Sequence, residues 1–234
     1  MEDHNNDIMI DKQNDQWEVN VYGRGTPYPF VLIDNWYSSK EESNVWSEID
    51  FFERNNFLKK DSTGGDGSVA TYDDGISKAK NKRIFLGEIF KNNFASHINN
   101  YLYKQRTSEF KEILQYCQPY YRSFESANAE STMISFYNDG DYYDTHYDST
   151  AWTCLIWMVK EPKHFDGGDF ELTDIKHKIE LKNNRMVIFP SCFNHRVYPL
   201  KYHDINNKSI GKFTITHFYL HFPASVEYQR NVDK

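Results

Sequence analysis

Two histidines and an aspartate in the second half of the chain are suited to bind a metal ion. His146 and Asp148 stand two positions apart in the stretch THYDST, and His195 follows Asp148 by 47 positions. Side chains at alternate positions of a strand point to the same face, so a strand here would direct His146 and Asp148 to one point. Two imidazoles and one carboxylate form the ligand set that binds Fe(II) and leaves coordination positions open for other ligands. We therefore treat the three residues as a candidate iron site.

These residues lie in a part of the chain that has the pattern of β-strands. From Ser131 onward, hydrophobic and polar residues alternate in short segments, which turn signals such as DGGD at 166–169 and NN at 183–184 separate. This pattern predicts strands in STMISFY, DYYDTHY, AWTCLIWMV, DFELT, KIELK, RMVIF, NHRVYP and KFTITHFYLHF. Closely spaced strands of this kind are typical of an antiparallel jelly roll.

The first half of the chain has the spacing of amphipathic helices. Ser38 and Glu41 have the spacing of a capping box, which predicts a helix at 39–54. Apolar residues at helical intervals predict two more helices, at 84–103 and 108–118. Helices followed by strands favour an α+β fold with a mainly β core, a double-stranded β-helix (jelly roll) with N-terminal helices packed on one face.

We expect the chain to form one domain, because 234 residues are few for two ordinary domains. Residues 1–16 are polar and acidic, which predicts a disordered N-terminal tail. The domain then spans 17–234, with helical support at 17–125 and the catalytic jelly roll at about 131–222. The segment 59–82 is rich in glycine and poor in apolar residues, and it is either a solvated linker or a lid over an active site.

Charge and hydropathy argue against two classes of partner. The formal net charge is −7 and the pI is near 5.7, so the sequence lacks the basic stripe that binding to a phosphate backbone requires. No apolar run has the length of a signal peptide or reaches the ~18 residues of a membrane span. We therefore expect neither a nucleic acid nor a membrane as partner, and we expect a cytoplasmic location.

The ordered motifs of the β-half resemble those of a known family. The segments FYNDGDYYDTHYDS, TCLIWM, FDGGDFEL, NRMVIFPS, HRVYP and GKFTITHFYL are similar to the catalytic jelly roll of Fe(II)/2-oxoglutarate-dependent dioxygenases, closest to the prolyl-4-hydroxylase-like branch. The resemblance covers about residues 131–222 and, more loosely, residues 33–49. It implies that His146, Asp148 and His195 are the catalytic iron ligands.

The resemblance also implies the cofactors and the reaction. The family uses Fe(II), with 2-oxoglutarate and O₂ as co-substrates and ascorbate as reductant. Its hydroxylases convert an unactivated C–H bond to an alcohol and release succinate and CO₂. Asp148 distinguishes this chain from the related halogenases, in which a small residue replaces the carboxylate, so hydroxylation is favoured over halogenation.

Residues for 2-oxoglutarate binding follow from the same resemblance. In the family, a tyrosine upstream of the His-x-Asp motif and a basic residue at the start of the last core strand bind this co-substrate. These roles fall on Tyr137, with Tyr143 as the alternative, and on Lys212. Strand alternation places Thr216 on the same face as Lys212, where its hydroxyl could contact the same ligand.

The position of Lys212 departs from the family pattern. It follows His195 by 17 positions, farther than the basic residue of the family does, and the stretch 200–210 reads as an inserted polar loop. Lys201 and Lys208 are therefore competitors. Lys212 is favoured because a glycine precedes it and a clear strand follows.

The sequence supports one main function and leaves the substrate open. An active hydroxylase would act on a prolyl or other residue of a protein or peptide, or on a small amino-acid-like molecule. The alternatives are a catalytically idle jelly-roll module that binds a metal or a protein, and a cupin-type metalloenzyme that needs no co-substrate. A complete ligand set together with a basic anchor favours the hydroxylase.

Overall fold

The chain folds into antiparallel sheets with short helices between its early strands. The computed structural model describes residues 8–9, 17–60, 69–204 and 211–222. The strands are β1 (Ile8–Met9), β2 (Glu18–Tyr22), β3 (Phe30–Asp34), β4 (Lys59–Lys60), β5 (Ala79–Lys80), β6 (Lys82–Phe85), β7 (Ala129–Tyr137), β8 (Tyr142–His146), β9 (Trp152–Val159), β10 (Phe165–Gly167), β11 (Phe170–Leu172), β12 (His177–Ile179), β13 (Arg185–Pro190), β14 (His195–Val197), β15 (Leu200–Tyr202) and β16 (Lys212–Leu220). The helices are α1 (Ser39–Arg54), α2 (His97–Asn100) and α3 (Ser108–Cys117), with 3₁₀ segments at Leu86–Glu88, Asn93–Ala95, Tyr101–Arg106 and Pro119–Ser126.

Two facing sheets form the jelly roll, and the predicted fold class is confirmed. The larger sheet has the described strand order β1-β2-β3-β13-β9-β16-β7-β6-β4, and the smaller has the order β12-β11-β14-β8-β5. Strands β10 and β15 pair separately. At the centre of the larger sheet, β9 lies between β13 and β16 and is buried along its whole length, which explains its nearly unbroken apolar sequence.

The larger sheet separates two apolar layers. On one face, Val45, Ile49 and Phe52 of α1 belong to the same buried cluster as residues of the sheet. Between the two sheets, Trp157 of the larger sheet packs against Phe170 of the smaller, with ring centroids 5.9 Å apart. The candidate iron ligands lie at the edge of this second layer.

The helix at 39–54 is confirmed with the predicted boundaries and cap. The Ser38 side chain accepts a hydrogen bond from the Glu41 backbone, and the Glu41 carboxylate accepts one from the Ser38 backbone N–H at 2.8 Å. The predicted helix at 108–118 is observed as α3. None of the described helices is long and apolar enough to cross a membrane.

The predicted helix at 84–103 is wrong. Ile84 is buried in β6, where it pairs with Ile134 of β7, and Phe94 is 83% exposed. The chain after β6 breaks into short helical turns because the side chains of Asn92 and Ser96 accept hydrogen bonds from backbone N–H groups and begin new turns. The four-residue spacing of apolar residues was therefore misleading here.

Three further predictions of local order differ in part from the structure. In the predicted loop 59–82, the part after residue 68 includes β5, which pairs with β8 of the smaller sheet, while 61–68 lie outside the described residues. The predicted helical support at 17–125 also contributes strands to the larger sheet. Of the predicted disordered tail at 1–16, the structure describes only β1, which pairs with β2.

Gly167 in β10 lies in close contact with the backbone of Pro199, and substitution there tests this packing. Gly167 has φ +74°, and a Cβ there would lie 2.1 Å from the carbonyl oxygen of Pro199. Gly25 has φ +77°, with nothing within 4 Å of its would-be Cβ. We expect Gly25→Ala to lower the free energy of unfolding by about 1 kcal/mol through backbone strain, and Gly167→Ala to lower it further through the added clash. Chemical denaturation measures the free energy of unfolding of both variants. Equal losses would contradict the close contact between Gly167 and the Pro199 carbonyl.

Candidate metal centre

The two histidines are brought together by strand pairing within the smaller sheet. His146 ends β8, His195 begins the neighbouring strand β14, and the two residues are direct partners in the antiparallel register. Asp148 lies just beyond β8, where its backbone N–H donates to the Ser191 carbonyl at 2.9 Å. The strand predicted to carry both His146 and Asp148 therefore ends at the histidine, and the irregular segment after it positions the aspartate.

The three side chains direct their ligand atoms to one place. His146 Nε2 lies 3.7 Å from Asp148 Oδ1, and His195 Nε2 lies 3.7 Å from Asp148 Oδ2. One ligand atom from each residue falls within 4.8 Å of the other two, which is a grouping that could hold a metal ion. The histidines are buried and the aspartate is partly exposed, so the centre lies at a cavity wall.

Backbone carbonyls fix the tautomers of both histidines. His146 Nδ1 lies 2.8 Å from the Asp144 carbonyl, and His195 Nδ1 lies 2.9 Å from the Phe193 carbonyl. A carbonyl oxygen only accepts hydrogen bonds, so each Nδ1 carries the proton and each Nε2 presents a lone pair. Burial, with a smaller contribution from neighbouring His195, lowers the pKa of His146 to about 2. His146 is therefore neutral at physiological pH, as metal ligation requires.

Aromatic rings hold the two imidazoles in place. The Tyr143 ring stacks on His146 with a centroid distance of 3.5 Å and an interplanar angle of 9°. His195 contacts Phe170 and Phe189 at centroid distances of 5.4 and 5.1 Å. These contacts restrict ring rotation and surround the candidate ligands with apolar surface.

The centre lies where two spaces meet. An inner cavity runs between the sheets, and an outer cleft of about 550 Å³ opens toward the segment 69–78. His146 and Asp148 line both spaces, whereas His195 lines only the inner one. A metal here would be reachable from two sides.

The predicted tyrosine and threonine contacts occupy different parts of the site. Tyr137 and Thr216 are buried and line the inner cavity, and burial raises the pKa of the Tyr137 phenol. Tyr143 lines both spaces, and its phenol oxygen accepts a hydrogen bond from the Ala70 backbone at 3.0 Å. Tyr143 is therefore engaged with the outer segment as well as with His146.

Lys212 is fully buried but is not among the residues that line the inner cavity. Its ammonium donates to the Gly168 carbonyl at 2.7 Å and lies 5.3 and 5.4 Å from the ring centroids of Tyr137 and Trp157, which do line it. No carboxylate of the described residues forms an ion pair with this ammonium. Burial lowers its pKa to about 7, although the charge of Asp169 acts in the opposite direction. Of the competitors, Lys201 is exposed on β15 and Lys208 lies outside the described residues.

The structure adds polar residues that the sequence did not indicate as a group. Arg83 and Asn81 line the inner cavity from β6 and the residue before it. Thr214 and Trp157 line the same cavity, and neither Thr214 Oγ1 nor Trp157 Nε1 has a hydrogen-bond partner among the described residues. Strand alternation in β16 does predict Thr214 on the same face as Lys212 and Thr216, and Thr214 and Thr216 both line the cavity. Arg83 was missed because its neighbourhood was interpreted as a loop followed by a helix.

A family model matches the part of the chain that contains this site. Residues 132–220, which include all three candidate ligands, match the model described as the 2OG-Fe(II) oxygenase superfamily. No curated protein matches the chain at a significant level.

Solved structures show that the oxygenase fold extends beyond the matched segment. A prolyl-4-hydroxylase of Pseudomonas putida is similar with a TM-score of 0.58 and 12% identity, over 84% of this chain and 95% of that one. A prolyl 4-hydroxylase from Phytophthora capsici is similar with a TM-score of 0.53 and 15% identity, over 82% of this chain and 58% of that one. At these identities the likeness shows a shared fold.

The buried Lys212 predicts a pH-dependent stability. The pKa of Lys212 is about 7 in the folded protein against an ordinary 10.5, so between these values the unfolded state binds more protons and stability rises with pH. Below pH 7, Lys212 is protonated in both states, and burial of its charge lowers the free energy of unfolding by the full amount. We expect Lys212→Met to be more stable than the wild type at pH 7, with the difference shrinking toward pH 10.

Urea unfolding of both proteins across this pH range measures the difference. Lys201→Met serves as the control, because Lys201 is exposed and its replacement should leave the pH profile unchanged. If the free energy of unfolding changes with pH in the same way for wild type and Lys212→Met, the pKa of Lys212 is not lowered by burial.

Proposed function

We propose that the protein is an Fe(II)- and 2-oxoglutarate-dependent dioxygenase that hydroxylates an unactivated C–H bond and releases succinate and CO₂. The observation that carries the proposal is the convergence of two buried imidazole Nε2 atoms and one carboxylate inside the superfamily segment. His146, Asp148 and His195 would hold the iron, which together with 2-oxoglutarate and O₂ supplies the oxidising chemistry. Ascorbate would serve as reductant.

The inner cavity supports 2-oxoglutarate as the co-substrate. Trp157 Nε1 and Thr214 Oγ1 are buried donors without partners among the described residues, and such groups are costly unless a ligand satisfies them. Lys212 adds a buried cation that lacks a carboxylate partner among those residues. An anion with several acceptor oxygens matches the two donors, and its charge would be balanced by Lys212, whose ammonium lies 5.3 Å from the ring centroid of Tyr137 in the cavity wall. Thr216 and Tyr137 would contribute further contacts from the same cavity.

The residues around the site would bind and orient the metal and the co-substrate, and they would keep water out. The stacked and packed rings around His146 and His195 keep the ligand atoms in position, and the apolar layer between the sheets limits solvent access from the inner side. Tyr143 is retained as an alternative contact for the co-substrate, because it lines both spaces.

The outer cleft is the proposed place of the substrate. Phe85, Phe218 and Leu220 give it an apolar side, and Lys78 is its one basic residue within the described part of the chain. A prolyl or other residue of a peptide, or an amino-acid-like molecule, is the substrate class we propose. Val69, Ala70 and Thr71 form part of the wall, which favours the lid interpretation of this segment over the linker interpretation.

Iron-dependent turnover of 2-oxoglutarate tests the proposal. With Fe(II), 2-oxoglutarate, ascorbate, O₂ and candidate peptides, wild-type protein should form succinate and CO₂ together with a product that is heavier by one oxygen atom, which mass spectrometry detects. His146→Ala and Asp148→Ala should lose metal binding and both products. The control is His221→Ala, since His221 is exposed.

Other outcomes identify the alternatives. Metal binding without turnover of 2-oxoglutarate under any reductant would indicate the catalytically idle module. Oxidation of a substrate without 2-oxoglutarate would indicate a cupin-type enzyme. Full activity in either ligand variant would show that the iron site is elsewhere.

A second prediction concerns the anchor of the co-substrate. Lys212→Ala should weaken 2-oxoglutarate binding by about 2 to 5 kcal/mol, because it strands a buried carboxylate, and it should leave metal affinity unchanged. Anaerobic titration with Fe(II), read from the charge-transfer absorbance of the chelate, measures the affinity. Arg83→Ala is the decisive comparison, since Arg83 lines the cavity, and Lys201→Ala is the exposed control. If Arg83→Ala loses 2-oxoglutarate affinity and Lys212→Ala keeps it, Arg83 rather than Lys212 binds the co-substrate.

A further inference from the structure

The side chain of Asp148 is held by a hydrogen bond from Thr153. Thr153 Oγ1 donates a hydrogen bond to Asp148 Oδ2 at 2.6 Å, and both the Thr153 and Ser191 side chains are completely buried. Thr153 Oγ1 also lies 2.8 Å from Ser191 Oγ, which in turn lies 2.7 Å from Thr150 Oγ1. Three hydroxyl groups therefore form a continuous chain that ends at the carboxylate.

The direction of this hydroxyl chain follows from counting protons. A hydroxyl has one proton to donate, and Thr153 uses its proton on the ionised carboxylate, which can only accept. Ser191 must therefore donate to Thr153, and Thr150 must donate to Ser191. All three hydrogen bonds point toward Asp148, and hydrogen bonds aligned in this way strengthen one another.

The hydroxyl chain makes the two carboxylate oxygens of Asp148 inequivalent. Each oxygen lies 3.7 Å from one imidazole, Oδ1 from His146 Nε2 and Oδ2 from His195 Nε2, but only Oδ2 accepts a hydrogen bond from the described residues, that of Thr153. The backbone N–H of Asp148 is tied to the Ser191 carbonyl, so both the main chain and the side chain of the aspartate are fixed. This arrangement leaves Oδ1 as the oxygen presented to a metal.

We infer that Thr153 is a positioning residue that orients Asp148 for coordination of a divalent metal ion through one oxygen, supported by Ser191 and Thr150. The inference rests on the proposed metal site, but not on turnover of any substrate. Hydrogen-bonded partners of metal ligands typically change metal affinity by about 10- to 100-fold when they are removed. Coordination through one oxygen also keeps a further position open for other ligands.

Metal titration of matched threonine variants tests the inference. Thr153→Val keeps the size of the side chain and removes the hydroxyl, and we expect its affinity for Co(II), measured anaerobically by calorimetry, to fall about 10- to 100-fold. Thr153→Ser keeps the hydroxyl and should bind Co(II) like the wild type. Thr150→Val removes only the far donor and should reduce the affinity less than Thr153→Val.

The matched control is Thr132→Val. Thr132 is also buried, and its hydroxyl also has a hydrogen-bond partner, His217 at 3.0 Å, on the opposite face of the sheet. This variant should lose stability in thermal unfolding and keep wild-type Co(II) affinity, which separates a loss of packing from a loss of ligand position.

Two outcomes overturn the inference in different ways. If the wild type binds Co(II) and Thr153→Val, shown to be folded by its unfolding transition, binds it equally well, Thr153 does not position the ligand. If folded wild-type protein binds no divalent metal, the proposed metal site itself is wrong.

Discussion

The pairing of β8 with β14 is the interaction on which the site depends. It places His146 directly opposite His195, and the two rings lie with centroids 4.2 Å apart. A slip of one residue in either strand would turn one histidine to the other face of the sheet and separate the pair. Strand β11 supports β14 from its other side, where Leu172 pairs with His195, so the register is held by two neighbours. The larger sheet then closes the cavity over the imidazoles.

The apolar layer between the sheets contains polar groups that the free protein satisfies incompletely. The Lys212 ammonium, the Trp157 N–H and the Thr214 hydroxyl all lie among aromatic and aliphatic side chains. Burial of such groups costs free energy, which the rest of the core must offset. An arrangement of this kind is typical of a binding site, because a ligand that satisfies these groups recovers part of that cost. The stability of the fold and the affinity of the cavity are therefore linked through the same atoms.

Local signals explain which parts of the structure the sequence predicts. The capping box at Ser38 and Glu41 determines the start of α1, alternation predicts β16, and a short apolar run between turn signals predicts β9, because these patterns depend only on neighbouring residues. The segment 84–103 has helical spacing, but pairing of β6 with β7 and capping by polar side chains override it. Arg83 enters the cavity through that same long-range pairing. The candidate metal ligands stand out as a motif, whereas Thr153 and Ser191 give no signal in a sequence with many hydroxyl residues.

The position of the candidate metal between two spaces links the outer segment to the ligands. Strand β8 carries His146 at its end, and the segment 69–78 is fastened to the same strand: Lys78 Nζ donates to the Thr145 carbonyl at 2.9 Å, and the Asp144 N–H donates to the Lys78 carbonyl at 2.8 Å. Tyr143 adds a third connection, because one face of its ring stacks on His146 while its oxygen accepts from Ala70. The outer segment is therefore attached to the strand that carries a candidate ligand. Since His146 lines the inner cavity as well as the outer cleft, the two spaces share this strand and this imidazole.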